Sequence, residues 1–190
     1  MLFVMIPAVA LAGTGIALAY AYLSGPKNNT LVKASDGRSY KVQNLPDKED
    51  AAERMSRIRS NLIKIRDHCR DSPEEPYRLL VSRFDPDALE ENDLTADSTS
   101  YSENKGEKLV ICLRDKTKEP YALVEDNTVM FVLIHEMAHL MTASIGHTPE
   151  FWTNMRKLLH ECVQIGVYRP VNYSKNPVHY CGMTITDSPI

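Results

Sequence analysis

The segment DNT at residues 126–128, followed by VMFVLIHEMAHLM at residues 129–141, decides how this sequence reads. Asp126, Asn127 and Thr128 are helix-capping residue types, and the run behind them is apolar on nearly every side. A helix of that kind is buried, so His135, Glu136 and His139 need compensation for leaving water. Their spacing supplies it. His135 and His139 stand four residues apart and project from one face, close enough to bind a single metal ion. Glu136 lies one residue on, beside that ion rather than on it, where it can take a proton from activated water. The five residues HEMAH therefore form an HExxH pattern set inside an apolar helix.

HExxH is the signature of zinc peptidases, and a catalytic zinc takes three protein ligands and keeps a fourth position open. The best third ligand is His147, in SIGHTPEFW at residues 144–152. Gly146 permits a chain reversal, and Thr148 with Pro149 is a strong helix start. A helix running straight to Ile145 would carry the chain roughly 9 Å past His139. The first helix is therefore predicted to stop near Thr142, leaving residues 143–146 to turn back. Glu150 and Glu161 are the alternative third ligands, since a carboxylate completes many such sites. The next helix is predicted from Pro149 to Val163, ended by Gly166, with Phe151, Trp152, Met155, Leu158, Leu159, Cys162 and Val163 at helical spacing. Trp152 is expected to pack behind the metal site. His68 and His160 read as surface or capping residues.

Upstream, LVICL at residues 109–113 reads as a buried strand, and the edge formed by residues 108–113 is expected to hold an extended substrate by backbone pairing. Residues 85–106 are acidic and rich in Ser and Asn, the composition of a solvated loop, and residues 114–126 return to polar loop. YRLLVSRF at residues 77–84, bounded by Pro76 and Pro86, reads as a strand, as do residues 39–43 after the Asp36-Gly37 turn. Asp47 begins a helix whose apolar face carries Met55, Ile58, Leu62, Ile65 and Cys69, ending near Arg70. Its basic face (Arg54, Arg57, Arg59, Lys64, Arg66 and Arg70) reads as a solvated surface, with contact to anionic lipid or another protein as the alternative. In PVHYCGM, residues 177–183, Tyr180 or His179 is a candidate donor to a developing oxyanion.

The charge is unevenly spread. The 190 residues hold 22 Lys and Arg against 25 Asp and Glu, a net charge of −3 that argues against a nucleic-acid binder. All of it lies from Lys27 onward. Residues 2–23, LFVMIPAVALAGTGIALAYAYL, would span roughly 33 Å as a helix, enough for a bilayer, with Tyr20 and Tyr22 at headgroup level. A signal peptide cleaved near Ala19-Tyr20-Ala21 and a buried core helix are the alternatives. Lys27, Lys33, Arg38 and Lys41 follow the span and none precedes it, so the positive-inside rule puts the remainder on the cytoplasmic side. Cys69, Cys112, Cys162 and Cys181 form no CxxC pair, which suits reduced thiols better than a disulfide scaffold.

HEMAHLMTASIGHTPEFW, residues 135–152, resembles the core of the WLM and SprT-like metalloproteases, which are zincins. The resemblance implies that His135, His139 and His147 are zinc ligands, that Glu136 is the general base, and that Phe151-Trp152 is a packing signature. Three further stretches make the whole similar to predicted zincin metallopeptidases of large DNA viruses: DGRSYKVQNLPDKEDAAERM (36–55), NKGEKLVICLRDK (104–116) and YSKNPVHYCGMTI (173–185). WLM and SprT-like proteins are implicated in cleaving DNA–protein crosslinks, a setting from which the apolar first segment and mildly acidic charge set this chain apart. The expected organisation is a transmembrane anchor at 1–25, a linker at 26–35, and an α+β, zincin-like single domain at 36–190 in which a small sheet packs on the buried HExxH helix. The expected activity is zinc-dependent hydrolysis of a protein or peptide substrate by a single-pass membrane protein, in a virion or viral internal membrane if the viral resemblance holds. The alternative is a structural or assembly protein, a partner of virion or capsid proteins, that keeps the zinc site without needing proteolysis.

Overall fold

The computed structural model describes residues 29–117 and 119–190. The expected anchor and the contact with membrane through residues 2–23 fall outside the described residues. The expectation of a single-pass membrane protein with its globular part on the cytoplasmic side is corrected here, because among the described residues no helix is long and apolar enough to cross a membrane. Residues 29–33, expected in the linker, instead form the first strand.

Five strands make one sheet: β1 (Asn29–Lys33), β2 (Ser39–Gln43), β3 (Leu89–Glu91), β4 (Tyr101–Glu103) and β5 (Lys108–Ile111), in the order β1-β2-β3-β5-β4. The β1–β2 and β4–β5 pairs are antiparallel hairpins, while β3 runs parallel to both β2 and β5. The parallel step from β2 to β3 needs a long connection, supplied by α1 (Lys48–Cys69) and α2 (Glu75–Arg83). Met55, Ile58, Leu62, Ile65 and Cys69 are buried, so the three-to-four-residue spacing does define the inward face of α1. Each arginine of its basic face meets an aspartate: Arg54 and Arg57 meet Asp126, Arg59 meets Asp87, and Arg66 and Arg70 meet Asp67. These five arginines share three aspartates within the domain.

Three expectations about secondary structure change. Residues 77–83 are helical, not extended. Pro76 occupies the first turn of α2, where its missing N–H is harmless, and Tyr77 and Leu80 are buried one turn apart. A short apolar run does not distinguish the two states by itself. The expected loop at 85–106 contains β3 and β4, because a three-residue strand offers too few alternations to read and the inward residue Glu91 is charged. In consequence β5 lies between β3 and β4 and is no edge; the edge on that side is β4.

The HExxH helix α3 (Asp126–Met141) packs between α2 and α4 (Pro149–Gln164). Its cap is Glu125, whose carboxylate accepts from the Thr128 amide at 2.9 Å. A terminal hairpin follows, β6 (Val178–Tyr180) with β7 (Met183–Ile185). Cys112 and Cys181 join it to the end of β5 in a disulfide with Cα atoms 6.1 Å apart, correcting the expectation of four reduced thiols. Separation by 69 residues hid that pair. Cys69 and Cys162 are free and buried. One hydrophobic core runs through these elements, so the described chain is a single α+β domain.

Candidate metal centre

The stop of α3 at Met141 decides the geometry. Thr142 leaves helical conformation at ψ 130°, its hydroxyl donating to the Ala138 carbonyl at 2.7 Å. Gly146 then takes φ +83°, a left-handed turn that suits glycine, and Thr148 caps α4 by accepting from the Phe151 amide. The reversal carries His147 back over α3. His135, His139 and His147 each offer one ring nitrogen, and these three atoms lie within 4.8 Å of one another. The His135 and His147 Nε2 atoms are 2.9 Å apart, and the ring centroids are separated by 4.8 to 5.0 Å.

This donor set fits zinc. Burial, then the neighbouring histidines, push His135 down to about 3; burial, then His147 and Lys105, push His139 down to about 4. Both rings are therefore neutral near pH 7, the ligand form of imidazole. The 2.9 Å contact uses two of the three rings, whereas one cation held among them uses all three. Phe151, fully buried, stacks on His139 at 4.3 Å and 30°. Trp152, expected behind the site, is partly buried on the wall of the cleft, 5.7 Å from the His147 ring. One residue of helix is about 100° of rotation, so Phe151 and Trp152 cannot both face inward.

Glu136 is buried in the floor of the cleft. Burial pushes its carboxyl up to about 7, against hydrogen bonds from the amide and hydroxyl of Ser102 on β4. Ser102 and Lys105 were not foreseen. The signal was available in TSYSE at 99–103, which alternates, ahead of the Asn104-Lys105-Gly106 turn and the β5 run. The cleft above the histidines holds about 700 Å³, bounded by Tyr101 and Ser102 of β4, Val132 of α3, Trp152 of α4, and Met183 and Ile185 of β7.

The remaining candidates are placed elsewhere. Glu161 bonds His68 at 2.7 Å and Tyr77 at 3.4 Å, and Glu150 bonds backbone ahead of His147. Neither joins the histidines. Tyr180 is buried, its hydroxyl donating to the Cys112 carbonyl at 2.8 Å and accepting from Ser100 at 2.6 Å. The Cys112 amide donates to the same Ser100 oxygen at 2.9 Å, which closes a ring of bonds and leaves Tyr180 no proton for the cleft. His179 is exposed, 3.1 Å from the Thr184 hydroxyl.

A single α+β domain with three convergent histidines on and after an HExxH helix defines the class of protein at hand. The WLM domain family matches residues 92–184, the part that carries β4, β5 and the centre. A protein of Acanthamoeba polyphaga mimivirus is 29% identical over 156 residues, covering 79% of this chain and 78% of its own length. A protein of Invertebrate iridescent virus 3 is 37% identical over 92 residues, 47% of this chain and 54% of that protein. Among solved structures, the crystal structure of Wss1 from Saccharomyces cerevisiae is similar at 19% identity and a TM-score of 0.44, covering 66% of this chain and 88% of that one. Just under half of the chain is thus similar to the WLM domain, and similar proteins occur in large DNA viruses.

Proposed function

We propose that this protein hydrolyses peptide bonds in an extended polypeptide laid along β4, with zinc held by His135, His139 and His147. Bound there, zinc supplies Lewis acidity, making water nucleophilic near neutral pH and polarising a carbonyl. The chain does the rest. Glu136 accepts the proton of the attacking water on its carboxylate and returns it to the leaving amine; its carboxylate would stay ionised, against the upward push of burial, with a cation held at the histidines. Ser102 fixes the orientation of the carboxylate from the strand next to the substrate. The edge of β4 turned away from β5 offers backbone groups to an extended peptide beside the Ser102 amide that faces Glu136, the role that β5, enclosed on both sides, cannot fill. Apolar walls at Val132, Trp152 and Ile185 exclude water from the reacting bond.

The observation that carries this reading is the opening of the three-histidine cluster into a cleft large enough for a peptide, with Glu136 beside it. A purely structural zinc is closed by four protein ligands and has no use for that carboxylate. The test is Glu136→Gln. Zinc content should stay at one per chain while chelator-sensitive hydrolysis of a protein substrate falls about 10²- to 10⁴-fold, the usual worth of a general base. Wild-type turnover in a zinc-loaded Glu136→Gln protein would discard the mechanism.

A further inference from the structure

Between β4 and β5 the chain takes three successive left-handed conformations: Asn104 at φ 46°, Lys105 at φ 56° and Gly106 at φ 110°. The first two carry a Cβ and are sterically disfavoured there, so the surrounding structure must hold them. Gly106 has no freedom to be anything else, since a Cβ would overlap the Arg83 carbonyl oxygen at the end of α2. What this turn achieves is the placement of Lys105. Its ammonium donates to the carbonyls of Thr142 at 3.0 Å and Ala143 at 2.8 Å, the first residues past the end of α3. Arg83 reaches the same end, donating to the carbonyls of Leu140 at 2.8 Å and Thr142 at 3.2 Å.

The amide side of the same segment is held by Glu150. Its carboxylate accepts from the Ala143 amide at 3.2 Å, the Ser144 amide at 3.4 Å and the Ser144 hydroxyl at 2.6 Å. Residues 142–144 are thus gripped by an ammonium on their carbonyls and a carboxylate on their amides. Only Ile145 and Gly146 separate this segment from His147, and Ile145 is 89% exposed, so no apolar packing anchors them. A ligand on an unanchored loop must be ordered each time metal binds, at a cost in conformational entropy.

We infer that Lys105 and Glu150 are positioning residues for the third metal ligand, holding residues 142–144 so that the His147 nitrogen stays with those of His135 and His139. Neither is a metal ligand, and Lys105, although it also lines the cleft, acts on His147 through the 142–144 segment. Because Lys105 sits on the turn that ends β4, the strand proposed for substrate and the loop carrying His147 share one support. The inference rests on the three histidines being the ligands.

The test measures zinc affinity of the full chain by competition with a chromophoric chelator, alongside the ligand-field spectrum of the cobalt(II)-substituted protein. Lys105→Met and Glu150→Gln should each weaken zinc binding about tenfold or more, the usual effect of losing a partner that orients a ligand. Their cobalt spectra should move toward that of His147→Ala, and Lys105→Arg should restore both readouts. The unfolding midpoint of the metal-free variants should match wild type, since Lys105 and Glu150 lie at the surface end of the fold. Wild-type affinity in Lys105→Met and Glu150→Gln, beside a weakened His147→Ala, would overturn the inference and leave the ligand set standing. A loss of affinity tracking a lowered metal-free midpoint would also overturn it. Equal affinity in wild type and His147→Ala would overturn the ligand set, and the inference with it.

Discussion

Two groups of polar side chains, one buried and one bordering the cleft, lie within this small domain, and they differ in where their partners come from. Around Arg114, which is 1% exposed, the partners are internal. Its Nε donates to Glu91 at 2.8 Å, its Nη1 to Asp47 at 2.8 Å and to the Tyr121 carbonyl at 3.2 Å, while Glu91 also accepts from the Gln43 amide at 2.6 Å. Of the three guanidinium nitrogens Nη2 has no partner among the described residues, and neither has the neighbouring Gln43 Oε1. Around His135 the ring nitrogens face one another and an open cleft. Buried polar groups that find their partners inside the chain hold a fold together; those that converge and still lack one are prepared for something from outside. On this comparison the Arg114 cluster is structural and the histidine cluster is the candidate site.

The largest expected effect breaks the first cluster. Arg114→Ala leaves the Glu91 carboxylate buried without its cation, a loss of about 3–5 kcal/mol for a buried pair. Chemical denaturation should show the midpoint falling sharply. Zinc affinity per folded molecule should stay at its wild-type value, because Arg114 touches neither α3's histidines nor the 142–147 turn. A lowered affinity at full folding would mean that the two clusters are coupled, and the distinction drawn above would fail.

The second effect tests the other cluster. If zinc is the missing partner, a saturating excess stabilises the folded chain by mass action, about 2.7 kcal/mol at a free concentration one hundred times Kd. Chelation should remove that increment and lower the thermal midpoint. In His139→Ala the midpoint should become nearly independent of zinc, while remaining close to that of the metal-free wild type. A zinc-dependent midpoint in His139→Ala equal to wild type would place the metal elsewhere.

The two clusters were unequally legible in the sequence. His135, Glu136 and His139 stand out because their spacing matches the helical repeat and their setting is apolar, and the halt at Thr142 follows from the need to return His147. Both are local arguments. Arg114 with Glu91 joins residues 23 apart on a loop and a three-residue strand, and Cys112 with Cys181 joins residues 69 apart. Neither spacing has a period to detect, so only the sheet order reveals them. The misreading of residues 77–84 as extended has a different origin: Pro76 before an apolar run signals a boundary equally for a strand and for the first turn of a helix. Missing β4 had the greatest consequence, because it put the expected substrate edge on β5 and concealed both Ser102 and Lys105.

The smallest effect sharpens the contrast from a single strand. Glu90 and Glu91 are neighbours on β3 and point to opposite faces, so one carboxylate meets solvent and the other meets Arg114. Glu90 pairs with Lys41 at 2.8 Å and with Lys108. Partial burial pushes its carboxyl up, but the bonds and charges of Lys108 and Lys41 outweigh that and hold it below the ordinary value of 4.5. A carboxyl with a depressed folded pKa binds fewer protons folded than unfolded at mildly acid pH. Its stabilisation is therefore complete above the unfolded value and fades as pH falls through the lower folded one. Exposure and screening limit the whole contribution to about 1 kcal/mol or less. Glu90→Gln should lower stability by that amount at pH 7 and low salt, and the difference from wild type should shrink both toward pH 3 and at 1 M salt. Glu91→Gln should instead cost more and keep most of its cost at high salt, since ions do not reach the interior. Equal salt sensitivity in the two variants would show that Glu91 is solvated in solution, and that burial does not distinguish these adjacent carboxylates.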